Sequence, residues 1–235
     1  QQLNYVMQKS LGFDSDQLVS VRVNDPQLST QGDVVRQEFL QLASVQAVTK
    51  SSAPVTGRFS GSRFVFPSGT IPDKKYTFSM PRIDEHFLET MDIDLVAGRN
   101  MRPNVPDDSY RIMEALMNET GVKTLGFTEY GNIIGEIVAN RYRIVGVTED
   151  FHLESLQNEI EPAILGFNPF NNTYVVTARL AGGSISEGLQ DMRAVWEDEL
   201  GAENTFDYTF VDDQIQQQYE QEQNTAKVIG IFAGL

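Results

Sequence analysis

The 235-residue chain has no cysteine, two histidines and one tryptophan. Without cysteine there is no disulfide, no thiolate nucleophile and no Cys-based zinc site. A metal centre needs several converging ligands, and His86 and His152 form no ligand-spaced pair. Both read as surface or turn-packing residues. Basic residues are also scarce, at 18 against 33 acidic, for a net charge of -15. That balance argues against nucleic acid or anionic lipid headgroups as main partners, since both select basic surfaces. No internal apolar run reaches the roughly 20 residues that a membrane helix needs. There is no G-x-S-x-G elbow, no G-x-G-x-x-G and no G-K-[ST]. A Ser-His-Asp triad assembles in space and not in sequence, so the sequence leaves that arrangement open.

What is present is a core. Apolar residues make up 40% and aromatics 10%, enough for a folded domain or two. Residues 18–23 (LVSVRV) alternate as a half-buried strand. A helix is expected over 31–43, with Val35, Phe39 and Leu42 on one face, and a strand over 45–50. Beyond Pro162 the pattern returns. Residues 174–180 read as a strand. Ser184 and Glu187 form a capping box for a helix carrying Ile185, Leu189, Met192, Trp196 and Leu200 on one stripe. Gly201 ends it, and 206–210 alternate as a last strand. Two β-α-β units of this kind make a ferredoxin-like split sandwich, with both helices on one sheet face. The roughly hundred residues between them are expected to be an insertion forming a second lobe. It opens on a Ser/Gly/Pro-rich stretch, 51–70, which still carries Phe59, Phe64 and Phe66. Within it, 76–80, 112–117 and 141–148 read as strands. Asp84 caps a helix over 85–91, and Asn118 caps another over 119–125 that Gly126 closes.

Other local signals have simple structural explanations. Asp14-x-Asp16 lacks the further oxygens of a calcium loop and reads as a turn. Asp212-Asp213 caps a helix, and the Gln-rich 214–223 is a solvated helix face. The acceptor-like triplets at Asn118 and Asn171 match by chance. Nothing adds up to an active site: no catalytic, cofactor-binding or metal-binding residue is expected. The two ends are distinctive. Residues 1–9 are briefly amphipathic. Residues 228–235 are uncharged and almost wholly apolar. That run reads either as the first turns of a membrane helix or as an apolar helix docked on its own core.

A longer pattern is more specific. Asn118-Glu119, Leu125-Gly126-Phe127, Ile134-Gly135, Val145-Gly146-Val147, Asp150-Phe151-His152, Ser155-Leu156, and Ile160 with Pro162 occur in one order. Together they resemble the extracytoplasmic region of MacB/FtsX-like ABC transporter permeases. Residues 87–101 match a further stretch of that family. Residues 3–19 and 210–235 match the segments that leave the first membrane helix and enter the second. The resemblance implies a domain outside the bacterial cytoplasmic membrane, facing the periplasm. It implies an N-terminal stalk (1–16), a porter-like lobe (17–81 and 163–211), an inserted small α/β lobe of the kind called Sabre (82–162), and a C-terminal stalk running into the second membrane helix (212–235). It implies a second permease protomer, a cytoplasmic ABC ATPase holding all the ATP and Mg, and a periplasmic adaptor or other periplasmic protein as partners. The Asp150-Phe151-His152 run then becomes a structural corner. A ligand-binding or sensor domain of a membrane receptor would also lie between two membrane helices, and it is the competing reading.

Overall fold

The computed structural model describes residues 12, 15, 17–54, 63–65, 76–102, 112–152, 159–167, 173–201 and 205–217. Strand β1 (Leu18–Arg22) leads through two short helices, α1 (Pro26–Thr30) and α2 (Gly32–Leu40), to β2 (Val45–Ser51). The α1 turn goes beyond the sequence-based expectation. Asp25 caps it, accepting from the backbone N–H of Gln27 and Leu28, and Pro26 fills the first position, where no N–H is needed. The chain re-sets at Gln31–Gly32. A side chain at Gly32 would collide with Thr173 Oγ1, so the close approach of these two segments requires glycine.

The second unit runs β11 (Val175–Leu180), α5 (Ile185–Ala194) with a π-helical last turn (Val195–Glu199), and β12 (Tyr208–Phe210). Ser184 Oγ accepts from the Glu187 N–H at 3.3 Å, and Gly201 stops the helix with φ +58°. The four strands lie in the order β12-β1-β11-β2. β11 is antiparallel to both β1 and β2, so the latter two are parallel and joined by a crossover. This is the ferredoxin-like split β-α-β arrangement. Helices α2 and α5 share one face: Val35, Phe39, Met192, Val195 and Trp196 pack with Val19, Val21, Val176 and Ala178 in one core. The Phe39 and Trp196 rings are 6.4 Å apart, and Trp196 and Phe206 6.0 Å.

The inserted residues extend the same sheet. β5 (Arg82–Ile83) pairs with β2 at Ser51–Ile83 and with β10 (Ile164–Phe167) on its other side. Beyond β10 come β7 (Met113–Asn118), β9 (Tyr142–Thr148) and β6 (Leu95–Gly98), with β8 (Ile137–Val138) beside β9. β7, helix α4 (Glu119–Thr124) and β9 make a parallel β-α-β unit of their own. The sheet has ten strands among the described residues. β3 (Arg63–Val65), in the Ser/Gly/Pro-rich stretch, and β4 (Tyr76–Phe78), beyond it, pair as a separate two-stranded antiparallel sheet. The last helix of the insertion's first half, α3 (Phe87–Met91), lies on β2 and β11, across the sheet from α2 and α5.

Trp196 is fully buried and is the chain's single tryptophan, so its fluorescence reports this core directly. Phe39→Ala removes a fully buried ring stacked on it. The expected cost is about 3–5 kcal/mol, read as a lowered urea midpoint by tryptophan emission. A loss below about 1 kcal/mol would contradict this packing.

Candidate functional site

The described part of the motif, 118–152 and 159–162, folds into a polar joint; Ser155 and Leu156 lie outside the described residues. Asn118 ends β7 in extended conformation and caps α4: its Oδ1 accepts from Gly121 N–H at 2.9 Å and from Ala163 N–H at 2.8 Å. Its Nδ2 donates to the Glu161 carbonyl at 2.9 Å. One buried amide thus closes a helix start and fastens the return strand β10 to it. That burial also removes Asn118 from any surface modification. Asp150 holds the same helix start, accepting from Thr120 N–H at 2.7 Å and Thr120 Oγ1 at 2.8 Å. Negative charge at a helix N-terminus is favoured by the unpaired N–H groups there. Glu119 accepts from the Tyr130 hydroxyl, and that bond pushes the phenol's pKa up. The residue after Asp150, Phe151, is buried against Phe87, with ring centroids 6.4 Å apart.

A second polar set joins the insertion to the first unit. On the sheet face away from α2 and α5, Ser20, Thr177 and Thr49 stand side by side across β1, β11 and β2. All three are buried, and Ser20 Oγ and Thr177 Oγ1 are 3.0 Å apart. Thr49 Oγ1 donates to Asp84, which also accepts from Lys50 N–H at 3.0 Å and His86 N–H at 3.2 Å. Burial outweighs these donors and holds the Asp84 carboxyl above its ordinary value of 3.8. Arg179, one row along, donates from Nε to the Thr90 carbonyl at 3.0 Å, at the C-terminal end of α3, where a cation is favoured. Further out, Arg99 grips Glu114 through both terminal nitrogens and holds that carboxyl below the usual carboxylate range.

These bonds are structural in kind: helix caps, strand ties and helix-end charges. Among the described residues, those singled out as possible chemistry do not converge. His86 lies beside Glu85, 3.5 Å from its carboxylate, at the start of α3. His152 follows the Phe151 corner. Asp212 Oδ1 accepts from the Asp213 N–H, as a turn or cap does. Asp14, Asp16, Asn171 and residues 218–235 fall outside the described residues. Among the described residues no three His, Asp or Glu side chains are grouped to hold a metal.

Sequence reasoning missed the tie made by Arg179 and the row made by Ser20, Thr177 and Thr49. The signal was available. In 175–180 and 18–22 the polar residues alternate with apolar ones, yet both strands are buried on both faces.

No family model matches the chain, and no curated protein matches it. Solved structures do. The periplasmic region of MacB from Actinobacillus actinomycetemcomitans is 14% identical, with a TM-score of 0.55 over 91% of this chain and 95% of that one. A domain of a putative permease protein from Porphyromonas gingivalis is 17% identical, with a TM-score of 0.52 over 83% and 89%. The extracellular domain of the noncanonic ABC-type transporter YknZ from Gram-positive bacteria is 12% identical, with a TM-score of 0.50 over 82% and 98%. The chain therefore has the fold of these permease domains, the fold that the motif resemblance implied.

Two measurements check the joint. Asn118→Ala leaves buried partners unpaired and should cost about 2–4 kcal/mol, with Asn118→Asp, which keeps both acceptor bonds, costing less. Asp84 should titrate above the ordinary aspartate value of 3.8 by carboxyl-carbon NMR, and Thr49→Val should raise it further by removing a bond to the charged form. The sign for stability follows from a raised folded-state pKa. Asp84's contribution is full below the unfolded value and is lost as pH rises through the folded one.

Proposed function

We propose that this chain is the non-catalytic extracytoplasmic domain of an ABC transporter permease, carrying ATP-driven movement outward across the membrane. The movement serves export of a substrate or control of a periplasmic partner. The observation that carries this reading is the placement of the first and last strands. β1 and β12 are antiparallel neighbours, with Val19 opposite Phe210 and Val21 opposite Tyr208. The start of the first strand and the end of the last therefore lie side by side, about 5 Å apart as paired strands are. Residues 211–217 begin a helix directly from that point. Chain entering at Leu18 and leaving at Val211 runs out from one edge of the domain, as two consecutive membrane helices require. Helix packing needs axes about 8–10 Å apart.

The fold likeness supports the same assignment, since it extends over most of both chains. On this reading residues 1–16 and 212–235 are stalks, 17–81 with 163–211 the porter-like lobe, and 82–162 the Sabre-like insertion. The partners are a cytoplasmic ABC ATPase, which holds ATP and Mg, a second permease protomer and a periplasmic adaptor or other periplasmic protein. The domain faces the periplasm from the bacterial cytoplasmic membrane. Its polar clusters act as fastenings and take no cofactor.

Two experiments test this. Cysteines at Tyr5 and Tyr219 of the full-length permease, on the expected stalks, should form a disulfide. The yield should differ between the nucleotide-free and vanadate-trapped complex. Ends that never cross-link in either state would overturn the reading. Calorimetry on the chain alone should show no heat of ATP binding, and micromolar affinity would equally refute it.

A further inference from the structure

Where the described chain enters and leaves the fold, at Leu18 and at Val211 with Ile215, it is not packed on the helical layer. Leu18 points away from α2 and α5, on the opposite sheet face from Val19. With Val211 and Ile215, at the start of the C-terminal helix, it shares a core with Ile83, Phe87, Met91, Phe151 and Leu165. Most of that core comes from the insertion. The helical layer has its own core, built on Val19, Val21, Phe39 and Trp196. The same strand β1 thus turns one face to each.

A second contact reaches the same place. Gly12, in the segment before β1, lies against the backbone of Asp150 and Phe151. A Cβ there would run into the Asp150 carbonyl oxygen and come within 2.7 Å of Phe151 Cα. Gly12 also has φ +74°, a conformation that suits glycine. Phe151 packs on Phe87 of α3, and its neighbour Asp150 holds the N-terminus of α4 through Thr120. Interiors packed to crystal-like density pass displacement on and do not absorb it.

We propose that Gly12, Phe151 and the Leu18–Val211–Ile215 core form a mechanical joint that passes movement of the chain ends to the insertion and bypasses the α2/α5 layer. The route runs from the two ends to Phe87 and Phe151, and from Asp150 to α4. The proposal rests on the transmission reading above and names its path. It explains why the Asp150-Phe151 corner is built as it is, since one residue receives the push and its neighbour hands it to a helix.

The test uses the full-length permease with its ATPase in nanodiscs. This stretch contributes no cysteine, so spin labels can be placed at exposed Glu129 and Glu187 once any cysteines elsewhere are replaced. Glu129 reports the insertion and Glu187 the helical layer. Electron–electron resonance distances are compared between the nucleotide-free and vanadate-trapped states. The wild-type distance should shift. Phe151→Ala and Gly12→Ser should each at least halve that shift while ATP hydrolysis continues, and Phe151→Leu should restore part of it. Gly12 is only half-buried, so its variant keeps the test open if Phe151→Ala does not fold. Phe39→Ala, in the other core, should leave the shift intact. A full shift in Gly12→Ser and the Phe151 variants overturns the joint alone. No shift in the wild type overturns the transmission reading, and the joint with it.

Discussion

Strands β1 and β11 are buried on both faces, and the rest of the architecture follows from having to cover both. One face is apolar and receives α2 and α5, whose Phe39 and Trp196 are fully buried. The other carries Ser20, Thr177, Thr49 and Arg179. Buried polar groups are costly unless hydrogen-bonded. Here the partners are largely supplied by the insertion: Asp84 takes Thr49, and the Thr90 carbonyl takes Arg179. A ferredoxin-like unit alone would expose this row to water. The insertion is therefore bound to the unit that encloses it by directional bonds as well as by apolar packing.

This explains which parts are legible in the sequence. Helices and strands with a clean apolar period lie where the pattern places them: the Val35–Phe39 face, the Met192–Trp196 stripe, the Asn118 and Ser184 caps. The sheet order follows once two β-α-β units are seen, because few arrangements of such units are possible. The α1 turn escapes notice because Asn24–Pro26 looks like a strand end, although Asp-Pro is also a cap followed by the first helical position. The polar row escapes for a different reason. Alternation suggests one face buried and one in solvent, and nothing in residues 18–23 says that the solvent face will be covered by a helix some seventy residues later. Long-range burial leaves no local period.

The candidate site shows the same division. Each motif residue between 118 and 162 can be named from sequence, and none of their long-range bonds can. Asn118 is legible as a cap through its position before a helix. Its bonds to Ala163 and Glu161 cross more than forty residues. Asp150 sits next to no helix in sequence and still caps one in space. The run Asp150-Phe151 owes its specificity to two neighbours facing different ways. The carboxylate turns to the start of α4, and the ring to Phe87 in the core beneath the chain ends.

A domain that conveyed force, as proposed above, would need its ends fixed to something stiff and its load path short. The paired strands would answer the first need, because pulling β1 and β12 together loads in shear the ladder that ties β1 to β11. The contact at Gly12 answers the second. From there to α4 the path crosses one backbone corner and one pair of hydrogen bonds from Thr120. Gly12 also leaves no room for side-chain bulk. A methyl group there must displace the Asp150 carbonyl, and Asp150 cannot move without pulling Thr120 and the first turn of α4 with it. The stiffness that makes such a contact intolerant of substitution is the same property that would let it carry the proposed displacement.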